Sequence, residues 1–352
     1  MRIVSVGCAF PPHYVDQETL IAAFRAAWAT RHHNLARVEQ LHRSVLVGGR
    51  HLALPMDRYL TLRDFGDAND AFIQVGTDVG AAALLDALAP LGLAPTDIDA
   101  LWFTSVTGVA APTIDARIVN RLRLRGDLKR TPIFGLGCVA GAAGVARVAD
   151  YLRGHPDDIA VLLSIELCSL TLQRDDLSIP NLIASGLFGD GAACVVLAGE
   201  RRAERLGLTG PRVVASQSAF YPDTEDVMGW RIGATGFKIV LSAEVPEMVR
   251  RHLVGDVDRF LGGLGLGTAD IDTWVAHPGG PRVLEVMEEA FGLPRAALAR
   301  TWDGLRRVGN LSSASVLLVL RETLAEPHPV GSKGLMLAMG PGFCSELVLL
   351  GW

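Results

Sequence analysis

Cysteine is scarce in this 352-residue chain: five residues, at positions 8, 138, 168, 194 and 344. The number is odd and no two stand in a CxxC pair, which argues against a disulfide framework or a zinc site and suits a reducing, cytoplasmic setting. No run of Lys and Arg and no basic stripe with interleaved aromatics occurs, and the net charge is −5, so nucleic acid is not an expected partner. No uninterrupted apolar run approaches the ~18–20 residues of a membrane helix, so membrane insertion is not expected. The opening MRIVSVGCAFPPHYV lacks a basic segment followed by a long apolar one, and Pro11-Pro12 interrupts it. It is read as a first buried strand and not as a signal peptide. Low-complexity segments and flexible linkers are also absent.

What is present is apolar: 49% of residues, against 20% charged. The length suits two similar halves or one large α/β unit. An internal repeat favours two halves. Leu91-Gly92-Leu93-Ala94-Pro95-Thr96-Asp97-Ile98-Asp99 returns as Leu264-Gly265-Leu266-Gly267-Thr268-Ala269-Asp270-Ile271-Asp272, with six of nine positions identical. Each copy follows a helical pattern and leads into a short apolar strand. Cys138 follows Asp97 by 41 residues, and Asn310 follows Asp270 by 40. Each opens a segment of small, then apolar residues (Val139–Val148; Leu311–Leu320), the pattern of a buried helix. The expected fold is therefore a duplicated α/β unit with halves at 1–205 and 206–352. Cys138 and Asn310 take related positions at the N-termini of two central helices.

Three residues stand out chemically. Cys138 follows a Gly after a strand and starts a helix, whose positive end favours thiolate over thiol. His277 ends the apolar run Thr273–Ala276 and is followed by Pro278-Gly279-Gly280. A titratable group at a strand end is where α/β folds build sites, and a Cys–His pair would activate the thiolate. Asn310 suits a helix N-cap, and its side-chain amide is also a neutral donor to a developing oxyanion.

Gly137-Cys138-Val139-Ala140-Gly141, Ala276-His277-Pro278-Gly279-Gly280 and Gly309-Asn310-Leu311-Ser312-Ser313-Ala314 resemble, in this order, the active-site motifs of chalcone synthase-like, type III polyketide synthases. Leu187-Phe188-Gly189-Asp190-Gly191 and Met339-Gly340-Pro341-Gly342-Phe343 resemble two further signatures. The resemblance implies a thiolase-like αβαβα layered fold, a homodimer, and decarboxylative condensation of malonyl-CoA onto an acyl-CoA starter. It needs no metal or tightly bound cofactor, because CoA thioesters are the substrates. By position, Cys138 would hold the growing chain, and His277 and Asn310 would bind the malonyl thioester. Phe188 matches the gatekeeper aromatic; Asp190 is read as a turn former. Thr171, Ser312, Cys168 (in place of a Thr), Trp230 and Ile239 match pocket-lining positions, and Gly340, Pro341 and Gly342 match a conserved loop. The family's CoA-contacting lysines have no clear counterpart; Arg50 or Arg58 would substitute.

Ile239, in place of a second gatekeeper aromatic, widens the passage and argues against a plant-like chalcone synthase. Ser164–Leu172 and Met228-Gly229-Trp230 resemble bacterial members that extend fatty acyl starters to alkylpyrones or alkylresorcinols. The nearest alternative is an initiating ketoacyl synthase acting on acyl carrier protein. It shares fold and triad, but usually has Gln-Ala-Asn where this chain has Pro278-Gly279-Gly280. A Cys–His hydrolase is a different reaction class, disfavoured by the duplicated halves and by the apolar helix after Cys138. A non-catalytic binding protein is disfavoured by the intact triad.

Overall fold

The repeated phrase does the same local work twice. In a computed structural model of the protein, which describes residues 1–29 and 34–352, Asp97 and Asp270 each close a one-turn helix. Their carboxylates accept from the backbone N–H of Ala94 and Gly267, both at 2.8 Å. Two residues on, Asp99 and Asp272 accept at 2.8 Å from Ile159 and Lys333, which begin the neighbouring strands. Each phrase thus ends a loop and pins two strands together.

Among the described residues thirteen strands form: β1 Arg2–Ala9, β2 His13–Asp16, β3 Gly49–Leu52, β4 Ala100–Ser105, β5 Lys129–Phe134, β6 Ile159–Leu167 and β7 Asp190–Ala198. They continue as β8 Arg212–Phe220, β9 Met228–Gly233, β10 Gly236–Leu241, β11 Thr273–Ala276, β12 Lys333–Gly340 and β13 Cys344–Gly351. The helices begin with α1 Gln17–Trp28, α2 Leu35–Ser44, α3 Phe65–Leu88, α4 Ile114–Leu122, α5 Ala140–Gly154 and α6 Ile179–Leu187. They end with α7 Glu200–Leu206, α8 Val245–Met248, α9 Val254–Gly262, α10 Pro281–Phe291, α11 Ala299–Val308 and α12 Ser315–Leu324.

Nine strands line up as β11-β12-β13-β8-β1-β7-β6-β4-β5. Outward from β1, β7 and β6 run antiparallel to their neighbours and β4 parallel to β6. Outward from β8, β13 and β12 are antiparallel and β11 is parallel to β12. The two sets have the same order and directions, with β5 an extra edge strand, and they join at one pair, Arg2 opposite Arg212.

Hydrophobic clustering gives the layers. Ala142, Val145 and Val148 of α5 and Val316, Leu317 and Leu320 of α12 share one core with Ala160 and Val195 of the first set and Met336 and Val348 of the second. These two helices are therefore the middle layer between two sheets, apolar nearly all round because both faces are covered. Outside the first sheet lies the α3–α4 core, with Phe72, Leu84 and Ile118. Outside the second lies the α9–α11 core, with Val257, Leu284 and Leu305. The expected αβαβα layering is present. The long apolar α3 would pass for a membrane span by length and composition. Here its buried face, from Phe72 to Leu88, packs against the first sheet.

The middle helices touch at their starts. A Cβ on Gly141 would lie 2.4 Å from the Ser313 carbonyl oxygen and 2.5 Å from Val316 Cγ1, so only glycine admits this approach.

Candidate active site

The turn that carries Cys138 is set by its neighbours. Gly137 has φ +55°, and a Cβ there would meet Pro341 Cδ at 2.6 Å; a Cβ on Gly340 would meet the Val139 nitrogen at 2.7 Å. The Gly340-Pro341-Gly342 loop therefore backs the cysteine turn. Cys138 sits in a single 3₁₀ turn, Gly137–Val139, that leads into α5; Asn310 stands just before an equivalent turn, Ser312–Ala314, that leads into α12. Each is a turn away from the α-helix it was expected to begin.

His277 directly follows β11, its N–H donating to the Leu337 carbonyl at 2.9 Å. Both ring nitrogens are buried and have no hydrogen-bond partner. Asn310 is pinned by its backbone: its N–H donates to Leu187 O and its carbonyl accepts from Gly189 N–H, both at 2.9 Å. Its Oδ1 accepts from Ser312 N–H at 2.8 Å, the capping role, while Nδ2 makes one long contact of 3.4 Å to Gly279 O. The amide donor is thus almost uncommitted.

Cys138, His277 and Asn310 all line one apolar cavity of about 560 Å³, together with Phe188, Met228, Met339 and Phe343. Burial pushes the Cys138 thiol up to about 12 and the His277 imidazolium down to about 3. Taken singly, each is neutral at pH 7. Moving the proton from sulfur to imidazole creates opposite charges together, and their attraction offsets the desolvation that each would suffer alone. Ser312, whose Oγ is 3.7 Å from Sγ, favours the thiolate.

The other expected pocket residues separate into two groups. Cys168, Thr171, Trp230 and Ile239 line a second cavity of about 380 Å³, to whose wall Leu20, Phe24 and Trp28 of α1 also contribute. Trp230 and Ile239 face each other across the β9–β10 hairpin. Phe188 belongs to both cavities and forms the wall between them. Ser312 and the Gly340–Gly342 loop instead support the thiol from behind.

Arg50 is 3% exposed and lines this second cavity, where Nη1 donates to the Phe188 carbonyl at 3.0 Å. Arg58 is exposed on the short helix Met56–Thr61. Neither lines the cavity that holds the triad. Asp190 is no turn former: it is fully buried at the start of β7 and accepts from the backbone N–H groups of Ala53 and Ser169. Burial raises it to about 6.

Two residues escape the sequence reading. Glu166, buried in β6, accepts from Val106 N–H (3.1 Å), Thr107 Oγ1 (3.0 Å) and the Ser313 hydroxyl, and burial raises its carboxyl above the usual range. A lone carboxylate in an otherwise apolar strand was the available signal. Arg282, on α10, lines the same cavity as the triad. Among the described residues no cluster of three His, Cys, Asp or Glu side chains suited to a metal occurs.

Comparison with known proteins agrees with this arrangement. Residues 64–209 match the family "FAE1/Type III polyketide synthase-like protein", and residues 212–351 match "Chalcone and stilbene synthases, C-terminal domain". A 1,3,6,8-tetrahydroxynaphthalene synthase of Streptomyces peucetius subsp. caesius is 52% identical, over 99% of this chain and 93% of that one. A putative chalcone synthase of Bacillus subtilis is 34% identical over 99% and 98%. The crystal structure of the Streptomyces coelicolor tetrahydroxynaphthalene synthase, a bacterial type III polyketide synthase, superposes with a TM-score of 0.94 at 30% identity, covering 100% of this chain and 99% of that one. With relatives this similar along its whole length, and a thiolase-like fold that brings the three motifs to one cavity, the chain belongs to the type III polyketide synthases, condensing enzymes of the acyltransferase class.

Proposed function

We propose that the protein extends a starter acyl group with malonyl-CoA by repeated decarboxylative condensation and cyclises the product in the same cavities. The Cys138 thiolate takes the acyl group from CoA as a thioester. Malonyl-CoA binds with its thioester carbonyl on His277 and Asn310; CO2 leaves, and both donors stabilise the resulting enolate. The enolate carbon attacks the Cys138 thioester and displaces the thiolate. The observation that carries this reading is the convergence of the three side chains on one apolar cavity, with both His277 nitrogens unpartnered by protein. No metal or tightly bound cofactor enters the scheme.

For starter and product, the 52% identical relative supports a polyhydroxynaphthalene. The ten ring carbons of 1,3,6,8-tetrahydroxynaphthalene are five two-carbon units. A chain end acidic enough to close the second ring points to a malonyl starter that later loses its carboxyl group. A second reading, a fatty acyl starter giving an alkylpyrone or alkylresorcinol, is favoured by the mostly apolar second cavity, which Phe188 and Ile239 help to line.

The two strand sets support halves at 1–205 and 206–352. The edge strand β5, with Phe134 exposed, supports a homodimer, which light scattering would test.

The deciding experiment is incubation with malonyl-CoA alone and with acetyl-, aromatic and long-chain acyl-CoAs, followed by product masses. A hydroxynaphthalene from malonyl-CoA alone establishes the first reading; alkyl products formed only with long starters establish the second. Absence of malonyl-dependent product and of CO2 release would refute both.

A further inference from the structure

Arg50 is a buried cation whose guanidinium no carboxylate pairs with among the described residues. Nη1 donates to the Phe188 carbonyl, the other Nη has no hydrogen-bond acceptor among the described residues, and Nε is buried without a partner. Asp190 acts on it through space. The Asp190 oxygens, however, are already taken by the N–H groups of Ala53 and Ser169 and by the Ser169 hydroxyl. Removing a charge from water is expensive unless a counter-charge and hydrogen bonds replace that water. What this guanidinium lacks is an anionic acceptor.

The place for one is the second cavity, which Arg50 lines. The other charged residues that line it, Arg174 and Asp175, are exposed, so Arg50 is the buried charge in a mostly apolar wall. Phe188 divides this cavity from the one that holds Cys138. Cys168, also in its wall, lies within electrostatic reach of both Cys138 and Arg50. An acyl chain that leaves Cys138 and passes Phe188 therefore arrives at Arg50.

We propose that Arg50 binds a carboxylate at the far end of the acyl chain held on Cys138, so that the protein selects ω-carboxyacyl chains over alkyl ones. The assignment rests on the Cys138 thioester of the reaction above and favours its malonyl-primed form. A guanidinium presents a planar fork that matches a carboxylate, whereas an alkyl end would leave the cation facing hydrocarbon. Holding this end also protects it. A β-keto carboxylate loses CO2 as its charge moves to the enolate, and a cation on the carboxylate opposes that step, which keeps the carboxyl group in place until the rings close.

The test loads Cys138 without extender and follows the acyl-enzyme by intact-protein mass spectrometry. Glutaryl-CoA is compared with valeryl-CoA, and adipyl-CoA with hexanoyl-CoA, so that a terminal carboxylate replaces a methyl group within each pair. Wild type is expected to load the carboxylated member of at least one pair faster. Arg50→Gln is expected to lower that ratio about ten-fold, and Arg50→Lys by less. The ratio is read within each protein, so a general loss of folding or thiol reactivity cancels, and a purely structural Arg50 moves both members together. Equal ratios in wild type and Arg50→Gln overturn the proposal, as does a wild type that loads the neutral member faster in both pairs. A free dicarboxylate offers the same chemistry from another source. Free glutarate, at the concentration of the thioester, is expected to leave valeryl loading unchanged; inhibition in wild type but not in Arg50→Gln overturns the assignment to a tethered chain. An Arg50-dependent ratio with no product or CO2 after malonyl-CoA is added would sink the condensing reading alone. Malonyl-dependent product with equal ratios would sink this one alone.

Discussion

The Cys138 Sγ and the Ser312 Oγ lie 3.7 Å apart, and this is the thiol's one side-chain hydrogen bond among the described residues. Ser312 holds its place with φ at 49°, a left-handed conformation imposed by the turn after Asn310. Its hydroxyl is therefore positioned to donate to the thiolate that burial disfavours. Ser312→Ala should shift the pH dependence of iodoacetamide alkylation upward and slow alkylation at pH 8 about five-fold, the equivalent of ~1 kcal/mol. Ser312→Gly, which tolerates φ 49° without strain, should give the same shift. An unchanged alkylation profile in both would remove Ser312 from this role.

Arg50 joins the two cavities through backbone. It donates to the carbonyl of Phe188, the residue in their shared wall, and lies near the buried Asp190. Arg50→Leu leaves that carbonyl without its donor and Asp190 without a nearby cation. We expect a loss of about 2 kcal/mol in stability, read as a lower Tm, and a changed product distribution as the Phe188 wall loosens. A Tm equal to that of wild type would contradict this account of Arg50.

Gly141 tests the contact between the middle helices. Gly141→Ala should destabilise by about 1–3 kcal/mol through overpacking, although alanine is the better helix former. Denaturant unfolding measures this directly. A stabilised variant would mean that α5 and α12 do not approach as closely as the 2.4 Å contact requires.

Acid should weaken the fold. His277 and His42 are kept neutral by burial, with protonation moved from 6.5 down to about 3 and about 4. Between pH 6.5 and about 4 the unfolded chain binds more protons, so stability falls as pH drops through that window. Asp190, raised from 3.8 to about 6, acts in the opposite sense: the folded form takes up its proton first, which adds stability on acidification. Glu166 and Glu346, also raised by burial, act in the same sense as Asp190. Tm should fall from pH 7 to pH 5, and less steeply in His277→Ala, a variant that forfeits no side-chain hydrogen bond. Equal slopes for the two proteins would refute the assignment.

Local chemistry is what a sequence states directly. The LGL…DID phrase recurs because Asp97 and Asp270 close a turn, and Asp99 and Asp272 pin a strand, within a few residues or to the adjacent strand. The small-then-apolar run after Cys138 and Asn310 marks helices covered on both faces. Duplication, layering and the order of Cys138, His277 and Asn310 were therefore legible. Where long side chains end up was not. Arg50 was matched to a CoA contact and lies buried beneath Phe188, because β3 runs under the loop that opens β7. Asp190 looked like a turn residue and binds two other segments. Glu166 was hidden in an apolar strand, and Arg282 in an ordinary helix start. Whether pocket residues share one cavity or two depends on how α1, the β9–β10 hairpin and Phe188 pack. Those elements lie from 42 residues apart (Phe188 and Trp230) to 202 apart (Trp28 and Trp230), and only the folded chain brings them together.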